Sequence, residues 1–524
     1  MPDTLLFNAD LVTLNDQDTT EEAPGASSVL IRGDRIVAVG EHEALRESAR
    51  GEPEAIDLQG KTLIPGFNDN HVHAIIFGDH ESVPDLGGLN EQEIVNRVLE
   101  HYRDVKPGRL VVAYGWDYTH CKNPHKELLD RAFPNNPVVL PQFSGHGQWV
   151  NSRALHELGI TGDTPDPERG HILRDEAGEP TGILREMSMN ALMSRWFRRI
   201  NNRRAPARER LQSAFAQFRR FGITSIQDNT WYPKAVGAFR RALRRGELTC
   251  RVSCWSFGED AKAAKKLRRQ RFVPPWITRG PDKFFLDGTY STRTAWLTEA
   301  YVGEPDNRGA GRSAEEIVST LEPSVAARRQ VACHAIGDRA VQEYVTAVER
   351  LAERYSWVPE LRLRIEHGQI IRPEDVERIK ALGMVVCAQP SALATPEKDA
   401  ELLGRERARR SYPYRSLLDG GVPLSFGSDI PGERTCDPIV SMDFVVNREG
   451  PEAITPEEAL RCFTRGSAYA EFAEDEKGAI APGFFADLTV LSQNPLKVDT
   501  KALRDTRVEM TIVGGRIVYD QRDR

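Results

Sequence analysis

The chain has 524 residues, 40% hydrophobic and 28% charged, a globular composition too long for one ordinary core, so two or three domains are expected. Its 70 Lys and Arg against 77 Asp and Glu leave a net charge of −7, which excludes a general affinity for nucleic acid. No run approaches the ~18 apolar residues of a membrane span, and the N-terminus lacks a basic region followed by an apolar stretch, so neither span nor signal peptide is expected. Seven cysteines without a CxxC pair suit a reducing compartment, and a cytoplasmic location follows. The basic runs 262–271 and 405–410 lie in helix-like, charge-rich stretches and read as solvated faces.

In chain order, residues 1–64 read as short strands with polar turns. The runs are Thr4–Phe7, Leu11–Leu14, Ser28–Arg32, Arg35–Val39 and Lys61–Ile64, with Gly33-Asp34 as a hairpin signal. Phe485–Leu491 and 508–518, broken at Gly514-Gly515, have the same character. Residues 1–64 plus 478–524 are therefore expected to build one small β-sandwich from both termini. Between them, strand-like runs alternate with helical segments. The opening run ends in His71-Val72-His73. It is followed by Ile223–Asp228, Thr249–Trp255, Lys283–Asp287, Gln330–His334, Leu361–His367, Gly383–Ala388 and Pro423–Asp429. Eight such units predict an α/β fold, a (β/α)8 TIM barrel over 65–477. The gap of about 150 residues between the first two strands is too long for a simple crossover. It predicts an insertion, 80–205, over the barrel mouth.

His71 and His73 are spaced i, i+2, so in a strand both imidazoles face one side and can bind one metal. Asp69 has the same parity and could face the same cavity. Lys283 and Asp287, His334, His367 and Asp429 sit on other barrel strands, whose C-terminal ends meet at one face. Each has an ordinary alternative. His334 alone suits a hydrogen-bonded polar residue, Asp429 a helix N-cap before Pro431, and His146 a turn residue. Glu366 has the opposite parity to His367 and is expected to face the helices. Cys333 and Cys387 read as small buried hydrophobes.

The motifs PGFNDNHVH (65–73), WVNSRAL (149–155), PDPERGHILRDEAGEPTGILRE (165–186), KFFLDGTYSTRTA (283–295), HAIGDRAV (334–341), RIEHGQI (364–370), FGSD (426–429) and PGFFADLTVL (482–491) run nearly end to end. Together they resemble the amidohydrolase superfamily, and within it amidohydrolase family 3, the YtcJ-like metal-dependent hydrolases. One departure is Asn68 and Asn70, where the family more often has a hydrophobic and a small residue. This is expected to alter packing behind the ligands rather than ligation. The resemblance implies two divalent metals, zinc by default with Mn, Fe or Co able to substitute. His71, His73 and Asp429 would hold one metal and His334 and His367 the other. Lys283 would bridge them as a CO2-derived carbamate. Charge counting agrees, because an ammonium between two dications would be repelled whereas a carbamate is an anion with two oxygens. The alternative is a mononuclear site with Lys283 turned outward to a helix carboxylate.

The expected chemistry is hydrolysis of a C–N bond in an amide, N-substituted formamide or cyclic amide. Metals lower the pKa of a shared water from 15.7 towards ~7, giving a bridging hydroxide. Asp429 would carry its proton to the leaving nitrogen. Trp116, His146, Trp149, Asp287, Tyr290 and Arg293 are candidates for binding a small-molecule substrate, and each also has a structural reading. Lactone or ester hydrolysis and decarboxylation use the same site, and a non-catalytic binding barrel is the other class of alternative. A homo-oligomer, a dimer first, is expected.

Overall fold

The computed structural model describes residues 2–15, 26–81, 83–167, 170–186, 207–230 and 234–523. Its centre is an eight-stranded parallel sheet in which chain order is spatial order. The strands are Phe67–Val72, Ile223–Asp228, Arg251–Phe257, Ile277–Phe285, Val331–Ala335, Arg364–His367, Val385–Ala388 and Leu424–Phe426. The first and last meet through the parallel bridge Val72–Ile430. There the Asp429 N–H donates to His71 O at 2.6 Å and the His73 N–H to Ile430 O at 2.9 Å. The barrel predicted from the eight runs is thus observed.

Residue alternation explains both faces of this barrel. Val252, Cys254, Phe284, Cys333, Ile365, Val386, Leu424 and Phe426 join the main apolar core beneath the helices. The intervening positions carry a polar interior. Arg364 donates to Glu366 at 2.7 Å, to Gln227 Oε1 at 2.5 Å and to the Asn70 carbonyl at 2.9 Å, and Asn70 Nδ2 donates to Ser425 at 2.6 Å. Burying these side chains is tolerable because each makes at least one hydrogen bond, although Asn70 Oδ1 meets no donor. Asn68 likewise donates to Glu471 at 2.7 Å, so both unusual asparagines make contacts behind the histidines.

The two termini supply two mixed sheets. One has the order Arg35–Gly40, Ser28–Arg32, Thr4–Phe7, Glu54–Asp57. The other runs Asp10–Leu11, Thr62–Pro65, Leu488–Leu491, Val508–Val513, Arg516–Asp520. Leu6, Val29, Ile31, Leu63, Leu488, Met510 and Ile512 share one core. Glu54–Asp57 had no strand signal because this edge strand is mostly exposed and carries little apolar pattern.

After the first barrel strand, a five-stranded sheet packs with the helices Glu91–His101, Lys126–Ala132 and Ser152–Leu158 and has cores of its own. The upper end predicted for this insertion, near 205, lies outside the described residues. No helix among the described residues is long and apolar enough to cross a membrane.

Candidate metal centre

The first barrel strand ends with its two imidazoles held from behind. His71 Nδ1 lies 2.6 Å from Glu366 Oε2, and His73 Nδ1 lies 3.0 Å from the Asn229 carbonyl oxygen. A ring that gives its Nδ1–H to an oxygen keeps a lone pair on Nε2. Both Nε2 atoms then face one oxygen, Asp429 Oδ1, at 3.5 Å from His71 and 3.2 Å from His73. That oxygen is sealed from solvent and has no hydrogen-bond partner. Two nitrogen lone pairs and an anionic oxygen converging in a buried space form a donor set that fits a divalent cation. Among the described residues these three side chains are the group of histidine, cysteine and carboxylate atoms close enough together to hold an ion.

Three further rings continue from this group. Ring centroids are 5.7 Å apart for His71 and His73, 5.5 Å for His71 and His367, 4.4 Å for His367 and His334, and 5.3 Å for His334 and His146. His334 Nε2 is 2.9 Å from the Gly288 carbonyl, which leaves its Nδ1 free. Burial holds His71 and His334 well below the usual imidazole range and takes His367 down to about 4. All three are neutral, as metal ligands must be. Asp429 is no helix cap, since Asp437 caps the helix that follows.

Lys283 is buried within the barrel, its Nζ 4.9 Å from the Phe285 ring centroid. It makes no ion pair among the described residues, so the outward salt bridge is absent. Burial lowers its amine, favouring the neutral form. The expectation for Glu366 is overturned: it is fully buried, faces the interior and anchors His71. Strand parity misled because His367 has φ +75°, which breaks the alternation and lets both neighbours reach the mouth side. Asp69 also turns from the cavity, accepting the N–H groups of His71 at 3.2 Å and Ser428 at 2.8 Å, with burial raising its carboxyl to about 7.

A cavity of about 1620 Å³ opens over this group, lined by His146, Glu186, His334, His367 and Asp429 among others. Of the proposed substrate contacts, His146, Tyr290 and Arg293 lie on its wall. Arg293 is paired there with Glu304 at 2.8 Å. Asp287 borders the cavity, but its oxygens accept the backbone N–H groups of Trp296, Ile336 and Gly337 at 2.8–3.0 Å. It is a clamp on the loop after His334, not a free substrate ligand. Trp116 and Trp149 are corrected too. Both are fully buried in the insertion's own core, 6.2 Å apart edge to face, and neither reaches the cavity wall. An indole's large apolar area is spent more readily inside a small subdomain than on a wet wall.

Sequence reasoning passed over Glu186. It closes the ILRE segment and binds His146 Nδ1 at 2.7 Å, while Thr292 and Thr294 donate to its other oxygen at 2.9 and 2.5 Å. Burial lowers His146, but the Glu186 charge and hydrogen bond more than reverse this, and the imidazole is raised. Asn229, whose carbonyl orients His73, had no readable signal.

A family model described as "Amidohydrolase family" matches residues 54–519. The chain is similar to YtcJ of Bacillus subtilis (strain 168), at 29% identity over 96% of this chain and 97% of that protein. It is also similar to the N-substituted formamide deformylase of Arthrobacter pascens, at 30% identity over 99% of each. Among solved structures, an uncharacterized metal-dependent hydrolase from Pyrococcus furiosus superposes with a TM-score of 0.73 at 30% identity, covering 94% of this chain and 100% of that one. A barrel with histidines and an aspartate gathered at the strand ends, matched along almost its whole length, places this chain in the amidohydrolase family of hydrolases.

Proposed function

We propose that this enzyme uses divalent metals to hydrolyse a C–N bond of an amide, N-substituted formamide or cyclic amide. The observation that carries the reading is the convergence of His71 Nε2 and His73 Nε2 on Asp429 Oδ1, with both Nδ1 atoms anchored from behind. His71, His73 and Asp429 would hold one metal and His334 and His367 a second. Lys283 would join them after its neutral amine adds to CO2 and loses a proton, giving a carbamate. Bound there, the metals supply an activated water and a Lewis acid for the substrate carbonyl.

The remaining work falls to side chains. Asp429 accepts the water proton on the oxygen turned from the imidazoles and returns it to the leaving nitrogen, help worth ~10²–10⁴ in rate. His146, fixed at Nδ1 by Glu186, turns its Nε2 edge to the cavity and steadies the carbonyl oxygen. The inserted sheet brings His146 in from outside the barrel and so completes the pocket. The near end-to-end similarity to an N-substituted formamide deformylase supports formamides as the first substrates to try.

The test is metal analysis of the purified protein together with a screen of N-formyl and N-acyl amines, lactams and lactones against the Zn- or Mn-loaded enzyme. Release of free amine, lost in Asp429→Asn, is expected. Fewer than one metal per chain after growth with Zn or Mn would instead favour a binding protein.

A further inference from the structure

Three arginines line the cavity: Arg185, Arg293 and Arg312. Arg293 pairs with Glu304 at 2.8 Å and Arg312 with Glu259 at 2.7 Å. Arg185 has no acidic partner among the described residues. Its Nε–H is sealed from solvent and meets no acceptor. Its guanidinium carbon lies 5.4 Å from the Tyr118 ring centroid, and Tyr118 is braced edge-on by Trp116 at 5.1 Å. Two described carboxylates near it in sequence and sheet register are already engaged. Glu186 holds His146, and Asp166, in the loop before the adjoining strand His171–Arg174, holds His171 at 3.3 Å and Arg174 at 2.9 Å. Arg185 is half-buried, and its sealed Nε–H without an acceptor is a cost that a ligand reaching the guanidinium would remove.

The position is as informative as the missing partner. Arg185 ends the strand Pro180–Arg185, which lies beside the central strand of the inserted sheet, in register with Gly147, the residue after His146. The next residue, Glu186, positions the His146 ring 5.3 Å from His334. An oxyanion on the substrate, a short distance from the scissile carbonyl, would therefore reach Arg185 while the carbonyl lies at His146. A planar fork of N–H donors suits a carboxylate, which it can grip through two parallel hydrogen bonds.

We infer that Arg185 is a specificity residue that binds a substrate carboxylate, and that the substrates are N-acyl or N-formyl amino acids or similar amides carrying an acid group. This rests on the C–N hydrolase reading above and adds the substrate's charge to it.

A matched pair isolates the point: N-formyl-L-phenylalanine and N-formylphenethylamine differ only in the carboxylate. The metal-loaded full chain is expected to favour the acid in kcat/KM by about ten- to a hundredfold, the usual worth of a charge-assisted hydrogen bond. Arg185→Met should abolish that preference, raising KM for the acid far more than for the neutral amide, and Arg185→Lys should restore part of it. A purely structural role would lower both substrates together. Calorimetric binding of the acid to wild type and Arg185→Met separates the two claims. If neither compound is cleaved but the acid still binds in an Arg185-dependent way, the carboxylate site stands and the C–N reading falls. If both are cleaved equally well and Arg185→Met changes neither, the carboxylate site is overturned and the hydrolase reading survives. If there is neither cleavage nor binding, both fall.

Discussion

Replacing Glu366 with glutamine tests whether the site is organised from behind. The wild-type carboxylate is fully buried and accepts from two donors, His71 Nδ1 at 2.6 Å and Arg364 Nε at 2.7 Å. An amide has one acceptor oxygen, so in Glu366→Gln its NH2 must confront either the imidazole or the guanidinium. His71 then loses the partner that keeps its proton on Nδ1, and a proton on Nε2 would point at Asp429 where a metal is needed. Loss of such a partner typically lowers metal affinity by ~10–100-fold.

The effect on folding should be smaller than breaking a buried ion pair outright, about 3–5 kcal/mol, because Arg364 keeps Gln227 Oε1 at 2.5 Å and the Asn70 carbonyl at 2.9 Å. A loss of about 1–3 kcal/mol is expected, the scale of a hydrogen bond to a charged group. The assay is competition with a chelator for Zn, run beside denaturant unfolding of the metal-free protein. Gln227→Ala is the control: it takes an acceptor from Arg364 without touching His71, and should cost stability but not metal affinity. Wild-type affinity in a well-folded Glu366→Gln protein would show that Glu366 serves Arg364 alone, and the anchoring argument would fail.

Lys283→Ala should lose activity and at least one metal, with partial rescue by short carboxylic acids; full activity without rescue would remove the bridge. Asp282 is buried and accepts from Arg268 and Arg329 at 2.8 Å and Ser324 at 2.7 Å. Burial raises its carboxyl, but hydrogen bonds from Ser256, Arg329 and Ser324 outweigh that and leave it lowered from 3.8. A depressed carboxyl contributes stability that is fully present above its unfolded pKa and lost as pH falls through the folded one. The stability gap between wild type and Asp282→Asn, read from denaturant midpoints, should therefore hold steady from neutral pH down to about pH 5 and close in more acid solution. A gap that widened on acidification would contradict the sign. A Cβ at Gly78 would lie 1.8 Å from the Arg210 carbonyl oxygen, where helix Ala74–His80 crosses helix Ala207–Arg220. Gly78→Ala should cost about 1–3 kcal/mol or more as the helices separate, and an unchanged unfolding midpoint would refute that close approach.

Much of the barrel was legible because strand alternation is local chemistry. The run Ile223–Asp228 coincides with an observed strand, and the His71, His73, His334, His367 and Asp429 set stands at strand ends because apolar runs stop there. Reading failed where one backbone angle or one distant partner decided the outcome. Parity placed Glu366 on the wrong face because φ at His367 is not written in residue type. Asp287 looked free until the backbone of residues 296, 336 and 337 closed around it. Trp116 and Trp149 read as pocket walls because nothing local shows that the insertion has a core of its own.

The sequence by itself determined the eight-strand alternation, the metal-binding residue types and the length of the insertion. Only tertiary structure decided which carboxylate steadies which imidazole, and that Arg185 is left without one. His71 and Glu366 are 295 positions apart, and an ion pair or its absence depends on spatial neighbours rather than chain neighbours.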